Sequence, residues 1–118
     1  ETLSEVLCDK LIAVVASRFT RHRYLWDLPW LQQQGATIDP EWLRAKVADY
    51  GLIDYQGALG RRLAVLPDDI NAEAFSAQMA RFLPPAVIER TIARRGFLDY
   101  LVSANQSLLE QARAAVVD

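Results

Sequence analysis

The chain has 118 residues, 52% of them hydrophobic and 24% charged, which suffices for one buried core and lies far from the low-hydrophobicity, high-charge profile of a disordered segment. Its 13 Lys and Arg against 15 Asp and Glu leave a net charge of −2, so no overall positive field draws in a polyanion. The single cysteine, Cys8, cannot close an intrachain disulfide, and a reducing, cytoplasmic setting is the expectation.

In chain order, Thr2 and Glu5 stand at capping-box spacing, and Leu3, Val6, Leu7, Leu11, Val14 and Val15 trace one apolar side. This predicts a helix over 3–19. The longest apolar run there, Leu11 to Ala16, is six residues, against the roughly 20 that a membrane helix needs. No membrane partner is expected, and the start of the chain does not read as a secretion signal. In "TRHRYLWDLPWLQQQG", Pro29 disfavours a helical Leu28 and Gly35 supplies a stop, so two short pieces are expected, around 21–28 and 29–34. Asp39, Pro40, Glu41 and Gly51 then punctuate a helix as cap, first position, first turn and stop, with Leu43, Val47 and Tyr50 on one face.

Asp54 is the expected cap of the next helix, which Pro67 ends. Gly57 and Gly60 each weaken it by about 1 kcal/mol relative to Ala, and a strand hairpin over 52–66 is the competing expectation. Asn71 is placed as the cap of a helix carrying Phe75, Met79, Phe82 and Leu83. Pro84 and Pro85 end it and open another, bearing Val87, Ile88 and Ile92 and stopped by Gly96. Asp99 caps the last helix, packed through Tyr100, Leu101, Ala104, Leu108, Ala112, Ala115 and Val116. No segment alternates apolar and polar residues as a half-buried strand does, so the fold class is all-α. The expectation is a compact bundle of five to seven helices in one domain over 1–118, and an opening on Glu1 rather than Met suits a piece excised from a longer protein.

One phrase occurs twice. "PEWLRAKVADYGLIDY" at 40–55 aligns without gaps to "PAVIERTIARRGFLDY" at 85–100, with Pro, Ala, Gly, Asp and Tyr identical. Pro starts a helix, Gly ends it in a left-handed turn and Asp caps the next, so the phrase reads as two similar helical hairpins. Either an internal duplication or the small alphabet of helix punctuation produces this pattern. Two copies fall short of the three or more repeats of a solenoid.

No catalytic motif accompanies these helices. His22 is the only histidine, and HExxH, GxSxG, a glycine-rich phosphate loop and a Cys/His metal set are all missing from the sequence. No catalytic residue, metal site or cofactor is therefore assigned. Cys8 reads as a buried structural thiol beside Leu7 and Leu11, and Asp68 and Asp69 as promoters of the next helix start. The most unusual composition is "RFTRHRYLWDLPW" at 18–30. Its Arg21, Arg23, Tyr24, Trp26 and Trp30 are the candidate partner-binding residues, because arginine and large aromatics carry protein interfaces. A core role for Trp26 and Trp30 under solvated arginines is the bland alternative. Arg18, Arg21, Arg23, Arg61 and Arg62 form a second candidate set, for nucleic acid held by phosphate contacts and stacking. A helix-turn-helix reading would send Asn105 and Gln106, or Gln56, Arg61 and Arg62, into a groove. Arg90, Arg94 and Arg95 are explained by a helix C-terminus alone. The favoured expectation is a non-catalytic interaction module, an adaptor, regulatory subunit or helical domain that meets a protein partner or a second copy of itself. Residues 18–30 and the long last helix are the candidate surfaces.

Overall fold

A computed structural model describes residues 2–116, and these form seven helices and no strand. They are α1 (Leu3–Ala16), α2 (His22–Gln33), α3 (Pro40–Asp49), α4 (Tyr55–Asn71), α5 (Glu73–Phe82), α6 (Pro85–Arg90) and α7 (Phe97–Ala115). The all-α expectation holds, and the hairpin of strands over 52–66 is replaced by α4.

Side-chain caps account for the starts of α1, α3 and α4. Thr2 Oγ1 accepts from the Glu5 amide at 3.1 Å, and Asp39 Oδ1 accepts from the amides of Glu41 and Trp42 at 3.0 and 3.3 Å. Asp54 Oδ1 accepts from the Gly57 amide at 3.2 Å. A Cβ on residue 57 would clash with the Asp54 carboxylate, so Gly57, which weakens the helix by propensity, is what lets this cap close.

Two prolines expected to break helices lie inside them. α2 runs through Pro29 and α4 through Pro67. In α2 the reason is visible in the core: Leu25, Leu28 and Leu31 form one fully buried stripe, which only a continuous helix presents. Pro29 has no amide hydrogen to offer the carbonyl of Leu25, four residues earlier. Asn105 of α7 supplies the donor instead, its Nδ2 lying 2.8 Å from Leu25 O and 2.9 Å from Leu101 O. In α4, Leu66 and Ile70 are fully buried on either side of Pro67, and Asn71 Nδ2 donates back to the Pro67 carbonyl at 2.8 Å. Asn71 thus finishes α4 rather than capping α5, whose N-cap is Ala72. Asp68 and Asp69 likewise fall inside α4 and do not start the next helix.

The twice-written phrase builds two different corners. After α3, Gly51 takes φ 63° and the amides of Gly51 and Leu52 donate to Ala48 and Val47 O at 3.0 and 3.1 Å, the paired bonds of a Schellman stop. α4 then waits for Asp54. At the second copy α6 has already ended at Arg90, Gly96 with φ 85° is itself the N-cap, and α7 begins at Phe97. Asp99 sits in the first turn rather than at the cap. Tyr55 is buried and donates to Leu11 O at 3.2 Å, whereas Tyr100 is 40% exposed and accepts from Gln33 Nε2. Two other boundaries also move: α1 stops at Ala16, where Ser17 turns extended, and α6 ends before Arg94 and Arg95.

α7 packs against α2, α3 and α4, and α1 closes the other side against α2, α3 and α4. The core between them holds Leu7, Leu11, Leu25, Leu28, Leu43, Leu59, Phe75, Met79, Leu101 and Leu108. The last helix, a candidate surface, buries Leu101, Asn105, Leu108, Leu109, Ala112 and Ala115 within its own chain and leaves Ser103, Ser107, Glu110, Gln111, Arg113 and Ala114 exposed. No described helix is long and apolar enough to cross a membrane.

If Asn105 replaces the bond that Pro29 cannot make, the two positions are energetically coupled. Asn105→Leu strands the Leu25 carbonyl in the core and should cost about 1–3 kcal/mol in urea unfolding. In a Pro29→Ala background, whose restored amide reaches Leu25 O within the helix, that cost should fall by about 1 kcal/mol or more. Equal costs in both backgrounds would show that the residues act independently.

Candidate functional site

The residues singled out between 18 and 30 do not form one cluster. The first turn of α2 faces the end of α5. There Arg21, His22, Arg23 and Tyr24 line, with Gln78 and Phe82, a cleft of about 240 Å³. The Arg23 guanidinium lies 4.8 Å from the centre of the Phe82 ring, and Arg21 lies 5.5 Å from that of Tyr24, whose ring also meets Lys10 Nζ at 4.1 Å. These are cation–π distances. His22 is engaged edge-on with buried Phe75.

Trp26 and Trp30 point to another cleft, of about 180 Å³, shared with Pro29, Gln33, Phe97 and Tyr100. Trp26 is half-buried with its ring 5.6 Å from Phe97, which is 5.8 Å from Tyr100. Trp30 is 51% exposed. The bland core reading therefore describes Trp26 in part and Trp30 not at all. Spacing explains why the two clefts share α2: Arg23, Trp26 and Trp30, at i, i+3 and i+7, form one stripe of the helix opposite its buried leucines.

The second candidate set is also divided. Arg62 of α4 is paired with Asp69 at 3.4 Å and donates from Nη2 to Ser17 O at 3.1 Å, stapling α4 to the end of α1. Arg61 is exposed, 3.7 Å from Asp54. Both line a groove of about 490 Å³ with Tyr55, Val65 and Ile53, the last 92% exposed. Ser17 joins the two regions, because its Oγ accepts from Arg21 Nε at 3.2 Å while its carbonyl serves Arg62. Asn105, considered as a base reader, is wholly buried and its Nδ2 serves the carbonyls of Leu25 and Leu101. It cannot meet a groove.

Sequence reading missed Arg81. It is exposed at the last turn of α5 and donates from Nη1 to Gln78 Oε1 at 3.3 Å, and Gln78 and the adjacent Phe82 line the cleft with Arg21 and Arg23. A signal was available: Arg81–Phe82 repeats the Arg18–Phe19 pair. Nothing in the sequence, however, says that the end of α5 packs beside the start of α2.

Cys8 is buried in α1. Burial pushes its thiol up to about 11, with neighbouring Asp9 adding to the effect, so it is held as the neutral, unreactive form. Burial also raises the Tyr55 phenol. The Lys46 ammonium is raised by its 2.7 Å hydrogen bond to Asp9, which ties α3 to α1. Among the described residues, no three His, Cys, Asp or Glu side chains converge as a metal site. No protein-family model, curated protein or solved structure matches this chain.

These three groups share a sign. Each holds its proton more tightly folded than unfolded, so its stabilisation is complete below the unfolded value and is lost as pH rises toward the folded one. Stability should fall from near pH 9.0, the ordinary thiol value, with the Cys8 part spread up to about 11. In urea titrations across this range, Cys8→Ala should flatten the lower part of the fall. An unchanged slope would show that Cys8 ionises as freely folded as unfolded.

Proposed function

We propose that this chain is a non-catalytic helical module that binds a partner protein along the outward stripe of α2, over Arg23, Trp26 and Trp30. Trp30 carries the reading. In a helix whose opposite side is fully buried, it leaves half of a large ring in water beside Tyr100, also 40% exposed. Covering that half removes on the order of 100 Å² of surface from water, worth about 2–3 kcal/mol at about 25 cal/mol per Å². This is the size of an interface hot spot, and tryptophan and arginine are the residues such spots favour. Gln33 and the Tyr100 hydroxyl, hydrogen-bonded to each other, form a polar rim.

The partner is another protein or a second copy of this chain, and the module acts as an adaptor, a regulatory subunit or a domain of a larger protein. A cytoplasmic setting belongs to the same proposal and rests on the unpaired Cys8. The nucleic-acid reading has less support, because Arg62 is neutralised by Asp69 and Arg61 stands beside Asp54. Only Arg18, Arg21 and Arg23 of that set make no ion pair among the described residues.

A photo-crosslinking amino acid placed at Trp30, with Gln111 on the far part of α7 as the control position, tests the proposal. A discrete crosslinked protein or dimer is expected from position 30 alone. Its formation by a chain crosslinked at Tyr100 should weaken at least about tenfold when Trp30 is replaced by Ala, the size of a hot-spot loss. The same bands from position 111, or none from position 30, would count against it.

A further inference from the structure

The chain's slight net negative charge hides a concentrated positive surface. Arg18, Arg21 and Arg23 flank the start of α2, and Arg81 is hydrogen-bonded to Gln78, which lines the same cleft as Arg21 and Arg23. All four are exposed, and none makes an ion pair among the described residues, where the four pairs present use Lys10, Lys46, Arg61 and Arg62. With these four set aside, nine basic residues face 15 acidic ones, so the rest of the chain carries −6. The charge is interleaved with apolar surface: Phe19 is 75% and Phe82 51% exposed. Each ring is already approached by one guanidinium, Arg18 at 5.9 Å and Arg23 at 4.8 Å.

We infer that this end of α2 receives an acidic, apolar peptide segment of a partner protein, with carboxylates on Arg18, Arg21, Arg23 and Arg81 and an apolar side chain against Phe82. The inference rests on the reading of α2 as the docking face and specifies the partner's chemistry there. Guanidinium groups take carboxylates through paired, charge-assisted hydrogen bonds, and arginine gives up its hydration more readily than lysine. A cleft of about 240 Å³ walled by Phe82 and Tyr24 suits one inserted side chain. A nucleic-acid strand fits less well. Its charge continues beyond the patch, onto a chain whose remaining residues carry a net −6. A peptide confines its carboxylates to the patch.

Fluorescence anisotropy with three labelled probes tests this: a short peptide alternating Glu and Leu, the same peptide with Gln for Glu, and single-stranded oligo-thymidine. The Glu peptide should bind at about 50 mM salt and weaken several-fold by about 200 mM. The Gln peptide should bind at least about tenfold more weakly, the loss of one or more charge-assisted contacts. Arg21→Glu with Arg23→Glu, and separately Arg81→Glu, should weaken the Glu peptide comparably, while Arg61→Glu should change it less than about twofold. Circular dichroism on each variant guards against unfolding. Tighter binding of oligo-thymidine than of the Glu peptide, equal binding of the Gln peptide, or no Glu-peptide binding at low salt would overturn the inference. The Trp30 crosslink, read on the same variants, separates the two claims. If the crosslinked partner persists undiminished in the Arg→Glu variants, the acidic specification fails and the interaction module stands. If position 30 crosslinks nothing while the Glu peptide binds through these arginines, the Trp30-centred docking reading is what falls.

Discussion

One amide side chain holds the arrangement together. Pro29 interrupts the hydrogen bonding of α2 at the carbonyl of Leu25, deep in the core, where an unpaired acceptor costs about 1–3 kcal/mol. Asn105 reaches across from α7 to fill it and bonds the Leu101 carbonyl with the same nitrogen. Its own Oδ1 has no partner among the described residues. Turning the amide over would bring that oxygen against two carbonyl oxygens, so the side chain is fixed in orientation. Asn105 therefore helps set the register of α7 against α2 through the buried Leu25 carbonyl.

That register decides what the surface offers. With Leu25, Leu28 and Leu31 turned inward, the stripe of Arg23, Trp26 and Trp30 is turned out. α7 contributes Phe97 and Tyr100 to its lower end, and α5 contributes Gln78 and Phe82 to its upper end. The two clefts are thus consequences of helix packing, each completed by residues distant in the chain. Ser17 plays a comparable part at the end of α1, where it anchors Arg21 and Arg62 through different oxygens. It links the start of α2 to α4 through one residue.

The places where sequence reasoning and structure diverge share a cause. Capping and stop signals are local, and Thr2, Asp39, Asp54 and Gly51 behave as their chemistry requires. Pro29 and Pro67 are equally strong local signals, yet the helices pass through them, because burial of Leu28 and of Leu66 with Ile70 outweighs one missing hydrogen bond. Asp99 lies between an apolar residue and a tyrosine as Asp54 does, but α7 starts three residues earlier relative to the phrase, where Phe97 can meet Trp26. Asn105 looked like a polar residue on an exposed face. Its burial could be suspected only by asking which donor serves the carbonyl left over by Pro29.

From the sequence alone follow the all-α class, a range of five to seven helices, the caps of α1, α3 and α4 and the unusual density of arginine and aromatic residues at 18–30, since each depends on residues a few positions apart. Tertiary structure alone decided that the arginines and tryptophans of that stretch divide between two clefts, that Arg81 is bonded to Gln78 of the first, that Arg61 and Arg62 pair with Asp54 and Asp69, and that one side of the last helix is buried in the core. These outcomes depend on which helix faces which. That choice is made by the shape of buried leucines and by one hydrogen bond spanning 80 residues of chain, a relation that no local pattern encodes.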